Sequence, residues 1–89
     1  MRLSKQKRDK ISEQILSFLF HSFPDQPFTA EIAREIIRDE EFVKRLLFEL
    51  TERKLVTPIR KNRKGLAFSR RLRWALTTKA YDAYKQQTT

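Results

Sequence analysis

The chain has 89 residues, 35% of them charged, 39% hydrophobic and 11% aromatic, with a formal net charge of +9 and no cysteine. This length suits one domain, residues 1–89, whose core must draw much of its buried area from seven Phe, two Tyr and one Trp. The composition excludes disulfides, cysteine–zinc sites and thiol chemistry, and no apolar run approaches the ~18 residues that a membrane span needs.

A first helix is predicted from a start within Ser4–Asp9 to about Ser22, because Ile11, Ile15, Phe18, Leu19 and Phe23 recur at helical spacing. Ser4 or Asp9 suits its N-cap, and the Phe23–Pro27 segment ends it, since proline disfavours helix at the residue before it. Residues 1–8 are expected as a basic N-terminal arm. A short second helix follows, with Thr29 expected as N-cap, Glu31 favourable at the positive end of the dipole, and Ile32, Ala33 and Ile36 facing inward. After a break at Arg38-Asp39, with Asp39 as N-cap, a third helix is predicted over about Glu40–Arg53. Val43, Leu46, Leu47 and Leu50 form its buried stripe, with Lys44, Arg45, Phe48, Glu49 and Glu52 outward.

Leu55–Arg60 reads as a strand whose Pro58 an edge position tolerates. A loop over residues 60–71 surrounds Gly65, the one glycine. In Leu72-Arg73-Trp74-Ala75-Leu76-Thr77 large apolar residues alternate with Arg, Ala and Thr, the mark of a half-buried strand that can pair with the first as a hairpin. Trp74 is expected in the core, anchoring that hairpin on the helices. A final helix is predicted over 78–86, with Ala80, Tyr81, Ala83 and Tyr84 along one side. The fold class is therefore mainly α with a small β-hairpin, in the order α-α-α-β-β-α.

Charge is distributed unevenly along this order. Residues 11–52 carry nine acids against four bases, whereas residues 53–81 carry ten bases and no acid. Such a segment is costly to fold unless a polyanion neutralises it, and nucleic acid is the commonest polyanion.

Three stretches together resemble a winged helix-turn-helix domain of the transcriptional-regulator type. Thr29–Ile36 is similar to that family's second helix. Val43–Val56 is similar to its recognition helix and the exit into the first wing strand. Trp74–Ala80 is similar to the second wing strand and the turn into a closing helix. The sequence departs from the family pattern where the usual turn glycine is Ile37, where an often apolar position is Arg38, and where the glycine closing the third helix is Lys54. Lys54 must therefore adopt a left-handed conformation or the helix must end differently. Asp39-Glu40-Glu41 also opens the recognition helix with acids, which suit the dipole but repel phosphate. The resemblance implies double-stranded DNA binding, transcription regulation and a homodimer formed through terminal helices. Winged helices that bind left-handed nucleic acid are similar at Lys44, Phe48 and Trp74, but their wing prolines are missing before Trp74.

The candidate DNA-binding residues follow. Lys44 and Arg45 on the third helix can pair with guanine edges in the major groove, and Phe48 can touch a thymine methyl. Arg60, Lys61, Asn62, Arg63, Lys64, Arg70, Arg71 and Arg73 can lie along phosphates or enter a minor groove. The lone His21 lacks the second ligand of a histidine metal site, and one glycine cannot build a phosphate loop. No catalytic residue, cofactor, metal, membrane association or small-molecule ligand is therefore expected. The basic start lacks a signal-type apolar stretch, so a cytoplasmic, nucleoid-associated location is expected. An RNA- or protein-interaction module and a sequence-independent chromosome-binding protein remain as alternatives.

Overall fold

The computed structural model describes residues 4–60 and 72–88. The order is α1 (Lys5–Ser22), α2 (Thr29–Ile36), α3 (Glu40–Glu52), β1 (Val56–Ile59), β2 (Arg73–Leu76) and α4 (Thr78–Thr88). This is the expected mainly α architecture with one small hairpin.

The helix starts are set by side chains that satisfy otherwise orphaned backbone N–H groups. The Ser4 hydroxyl accepts from the Lys7 N–H at 3.3 Å. The Asp39 carboxylate accepts from the Phe42 N–H at 3.1 Å. Because Ser4 caps α1, residues 5–8 form its first turn, so the arm expected over 1–8 is already helical from Lys5. The start of α2 differs from expectation. Its N-cap is Phe28, whose N–H donates to the Glu31 carboxylate at 2.9 Å. Thr29 is the first helical residue and is buried, its hydroxyl accepting from the Trp74 indole N–H at 2.7 Å. The indole recruits that oxygen because a buried N–H without a partner is costly.

Helices α2 and α3 end in the same way. The N–H of Arg38 reaches the Ala33 carbonyl and that of Ile37 reaches Arg34, at 3.0 and 3.3 Å. Likewise Leu55 reaches Leu50 and Lys54 reaches Thr51, at 3.0 and 2.9 Å. Both patterns are Schellman closures, which need one left-handed residue, normally glycine. Here Ile37 (φ 57°) and Lys54 (φ 64°) take that place. Of the two alternatives for Lys54, the left-handed one holds. The predicted third helix thus stops one residue early, with Arg53 as C-cap.

The core joins Ile11, Ile15 and Leu19 of α1, Ile32 and Ala33 of α2, the four apolar residues of the α3 stripe, Val56 of β1 and Trp74 of β2. Trp74 is fully buried, as expected. Strands β1 and β2 pair antiparallel with Val56 opposite Leu76 and Pro58 opposite Trp74. The other edge of β2 meets the residues before α2 through a Phe28–Arg73 bridge, with the Trp74 N–H donating to the Pro27 carbonyl at 3.0 Å. The Trp74 N–H therefore points away from β1, Pro58 faces it at a non-bonded pair, and the absent proline N–H removes no ladder bond.

Helix α4 extends past the predicted 78–86 to Thr88. Thr77 precedes it, accepting from the Ala80 N–H at 3.1 Å while its hydroxyl donates to the Lys54 carbonyl at 2.9 Å. That one side chain ties the end of α3 to the start of α4. Phe23, placed by periodicity on the buried stripe of α1, is instead its C-cap and 57% exposed, because the helix stops before it. Its ring meets Tyr81 of α4 at 4.6 Å, and Phe20 meets Tyr81 and Tyr84 at 5.1 and 4.9 Å. Ala83 is exposed rather than on the packed side of α4. Among the described residues no helix is long and apolar enough to cross a membrane.

Candidate nucleic-acid interface

The three residues Ile37, Arg38 and Asp39 separate α2 from α3, so the two helices form a tight helix-turn-helix unit. Burial of Val43, Leu46, Leu47 and Leu50 turns the opposite face of α3 to solvent. Lys44 and Arg45 lie on that face, exposed, and neither is paired with an acid among the described residues. They share it with the exposed acids Glu40, Glu41, Glu49 and Glu52.

Phe48 is half-buried rather than turned outward. Its ring meets the Trp74 indole edge-on at 5.3 Å, because Trp74 of β2 fills the angle between the hairpin and α3. Trp74 itself has no exposed surface and its indole N–H is donated to the Thr29 hydroxyl, so it offers nothing to a base. The likeness to binders of left-handed nucleic acid at Lys44, Phe48 and Trp74 fails at that residue.

Arg60 follows β1 and is exposed. Arg73 has a structural position. It donates to the Gln26 carbonyl at 2.8 Å, and its guanidinium carbon sits 4.0 Å above the Phe28 ring. These contacts hold the Gln26–Phe28 segment beside β2, and both draw on the planar, cationic head of arginine. Sequence periodicity could not reveal this, since the partners lie far away in the chain. Lys61, Asn62, Arg63, Lys64, Arg70 and Arg71 lie outside the described residues. The other described cations of the basic segment, Arg53, Lys54, Arg60 and Lys79, are exposed and in no salt bridge with a described acid.

One contact that the sequence did not signal joins the α3 face to another helix. Arg8 of α1 forms a salt bridge with Glu49 of α3. Arg8, Arg45, Glu49 and Arg53 line one groove between these helices. His21 is exposed, with Nδ1 2.8 Å from the Ser17 carbonyl. No group of metal-binding side chains occurs among the described residues.

The same fold occurs in solved structures. Staphylococcus aureus MepR in a DNA-binding conformation is 23% identical, with a TM-score of 0.72 over 93% of this chain and 61% of that one. A zinc-responsive MarR family member from Lactococcus lactis, ZitR, is 24% identical, with a TM-score of 0.68 over 99% of this chain and 53% of that one. A MepR–DNA complex is 26% identical, with a TM-score of 0.69 over 94% of this chain and 72% of that one. The fold is a winged helix-turn-helix. Its α3 stands at the recognition-helix position and its β1–β2 hairpin is the wing. The winged helix here spans 61% and 53% of the first two proteins, MepR and ZitR. No protein-family model matches the chain. No curated protein matches it either.

Proposed function

We propose that this winged helix binds double-stranded DNA in a sequence-specific manner and regulates transcription, without catalysing a reaction. Helix α3 enters the major groove with Lys44 and Arg45 toward guanine edges. The segment from Arg60 through Lys61, Asn62, Arg63, Lys64, Arg70 and Arg71 follows the phosphate backbone or a minor groove. One observation carries this reading: a winged-helix scaffold presents Lys44 and Arg45 on α3 with no acidic partner among the described residues, in a chain whose residues 53–81 hold ten bases and no acid. MepR, a structural neighbour, is described in complex with DNA and as a transcription regulator, which supports the same role here. Phe48 contributes through its packing on Trp74, which holds α3 against the wing, and Arg73 through its hold on the strand edge. A homodimer through the terminal helices would present two recognition helices to a two-fold symmetric site.

The test is a mobility-shift titration of the protein with duplex DNA and with a structured RNA at physiological salt. Tighter binding of the duplex, with enrichment of a particular sequence from random fragments, is expected. Preference for the RNA would overturn the reading in favour of shape recognition of RNA. Equal competition by every random duplex would replace it with sequence-independent coating of chromosomes.

A further inference from the structure

The exposed face of α3 has an electrostatic problem. Helix α3 and its C-cap carry Glu40, Glu41, Glu49 and Glu52 against Lys44, Arg45 and Arg53. Left alone, that set faces a polyanion with a net charge of the wrong sign. Two of these acids have a local role, since Glu40 and Glu41 lie in the first turn, where negative charge complements the helix dipole. Glu49 lies in the third turn and has no such reason to be there. Its carboxylate is one helical turn from Arg45 on one side and from Arg53 on the other, the spacing at which helix side chains pair. Bonding in either direction would draw a cation off the DNA-facing surface.

The structure shows the Glu49 carboxylate going elsewhere. It is bridged to the Arg8 guanidinium, which reaches across from α1, while Arg45 and Arg53 line the same groove without an acidic partner among the described residues. The bridge is half open to solvent, with side-chain exposures of 41% for Arg8 and 51% for Glu49. Exposed pairs of this kind add little to stability. Its consequence lies in which charge each group presents to a ligand.

We infer that Arg8 is a positioning residue of the DNA interface, a guard cation that neutralises Glu49 and so keeps Arg45 free for duplex DNA. This inference rests on the DNA-binding reading above. Arg8 acts through Glu49 and Arg45 and does not itself touch the bases.

A double-mutant cycle on DNA affinity tests it, using Arg8→Ala, Glu49→Gln and the pair together on one selected duplex, with thermal melting of each variant as a folding control. Arg8→Ala is expected to weaken binding at least threefold. Glu49→Gln is expected to improve affinity at least threefold more in the Arg8→Ala background than in the wild-type background. The double variant should return to near wild-type affinity and to the wild-type salt dependence. If Arg8 instead contacts a phosphate, the double variant stays weak and its log–log salt slope is shallower by about 0.9. That result overturns the inference. Equal effects of Glu49→Gln in both backgrounds also overturn it, because the two charges then act independently. An unchanged affinity in Arg8→Ala does the same. Should Arg8→Ala melt early, Arg8→Gln, which keeps the length of the side chain and lacks the charge, takes its place in the cycle. Failure of wild-type protein to bind any duplex sinks the DNA-binding reading and this inference together. Binding without coupling sinks the inference alone.

Discussion

Ile37 and Lys54 occupy left-handed backbone positions that close α2 and α3. For a β-branched residue this is an outlier, costing about 1–2 kcal/mol against right-handed conformations. Ile37 is 86% exposed, so its side chain contributes almost no burial in return. Glycine at this position removes the steric cost but adds about 0.5–1 kcal/mol of backbone entropy to be lost on folding. Ile37→Gly is therefore expected to stabilise the fold by about 0.5–1 kcal/mol, read as a rise of several degrees in melting temperature, whereas Ile37→Val stays near wild type. A lower melting temperature for Ile37→Gly would show that the Ile37 side chain has a packing role. These two positions were legible from sequence as departures from a glycine pattern, because a Schellman closure demands one backbone conformation. Thr29 was less so. Its hydroxyl suits a cap as well as a buried acceptor, and only the position of Trp74, far along the chain, decides between them.

At the scale of elements, apolar spacing located all four helices and both strands, since each buries one face and its period shows which. The ends were harder. Helix α1 ends before Phe23, and α4 runs on to Thr88. No local pattern reveals that Phe20 and Phe23 pack on Tyr81 and Tyr84, since the contact is tertiary. These rings join α4 to the end of α1. Phe20→Ala and Tyr81→Ala are thus expected to show a coupling of about 0.5–1.5 kcal/mol in urea denaturation, as aromatic pairs do. Additive losses would mean that the Phe20–Tyr81 contact does not itself hold α4 to α1. The candidate site was legible in part for the same reason. Lys44 and Arg45 lie on the exposed side of a periodic helix and were placed correctly there. Arg73 and Phe48 were placed by strand and helix period, yet each is claimed by a partner distant in sequence. The Arg8–Glu49 bridge spans two helices and left no trace in spacing.

Over the whole molecule, charge and fold are organised together. The first three helices and their links hold every acid but Asp82, and the basic segment begins where α3 ends and continues in sequence into α4. Among the described residues, Arg53, Lys54, Arg60 and Lys79 form no salt bridge with an acid of the helices, and Arg73 is held by the Gln26 carbonyl and the Phe28 ring. On the proposed reading, the ten bases of this segment meet an outside polyanion, whose condensed counterions are released on binding. The dependence of duplex affinity on salt measures that release directly. If about six to eight cations meet phosphates, the logarithm of the binding constant falls against the logarithm of salt concentration with a slope of roughly −5 to −7. Titration of the protein with duplex DNA between 50 and 200 mM salt, values that bracket physiological ionic strength, reads the slope. A slope in that range is the predicted result, and one shallower than about −2, fewer than three phosphate contacts, would contradict the account.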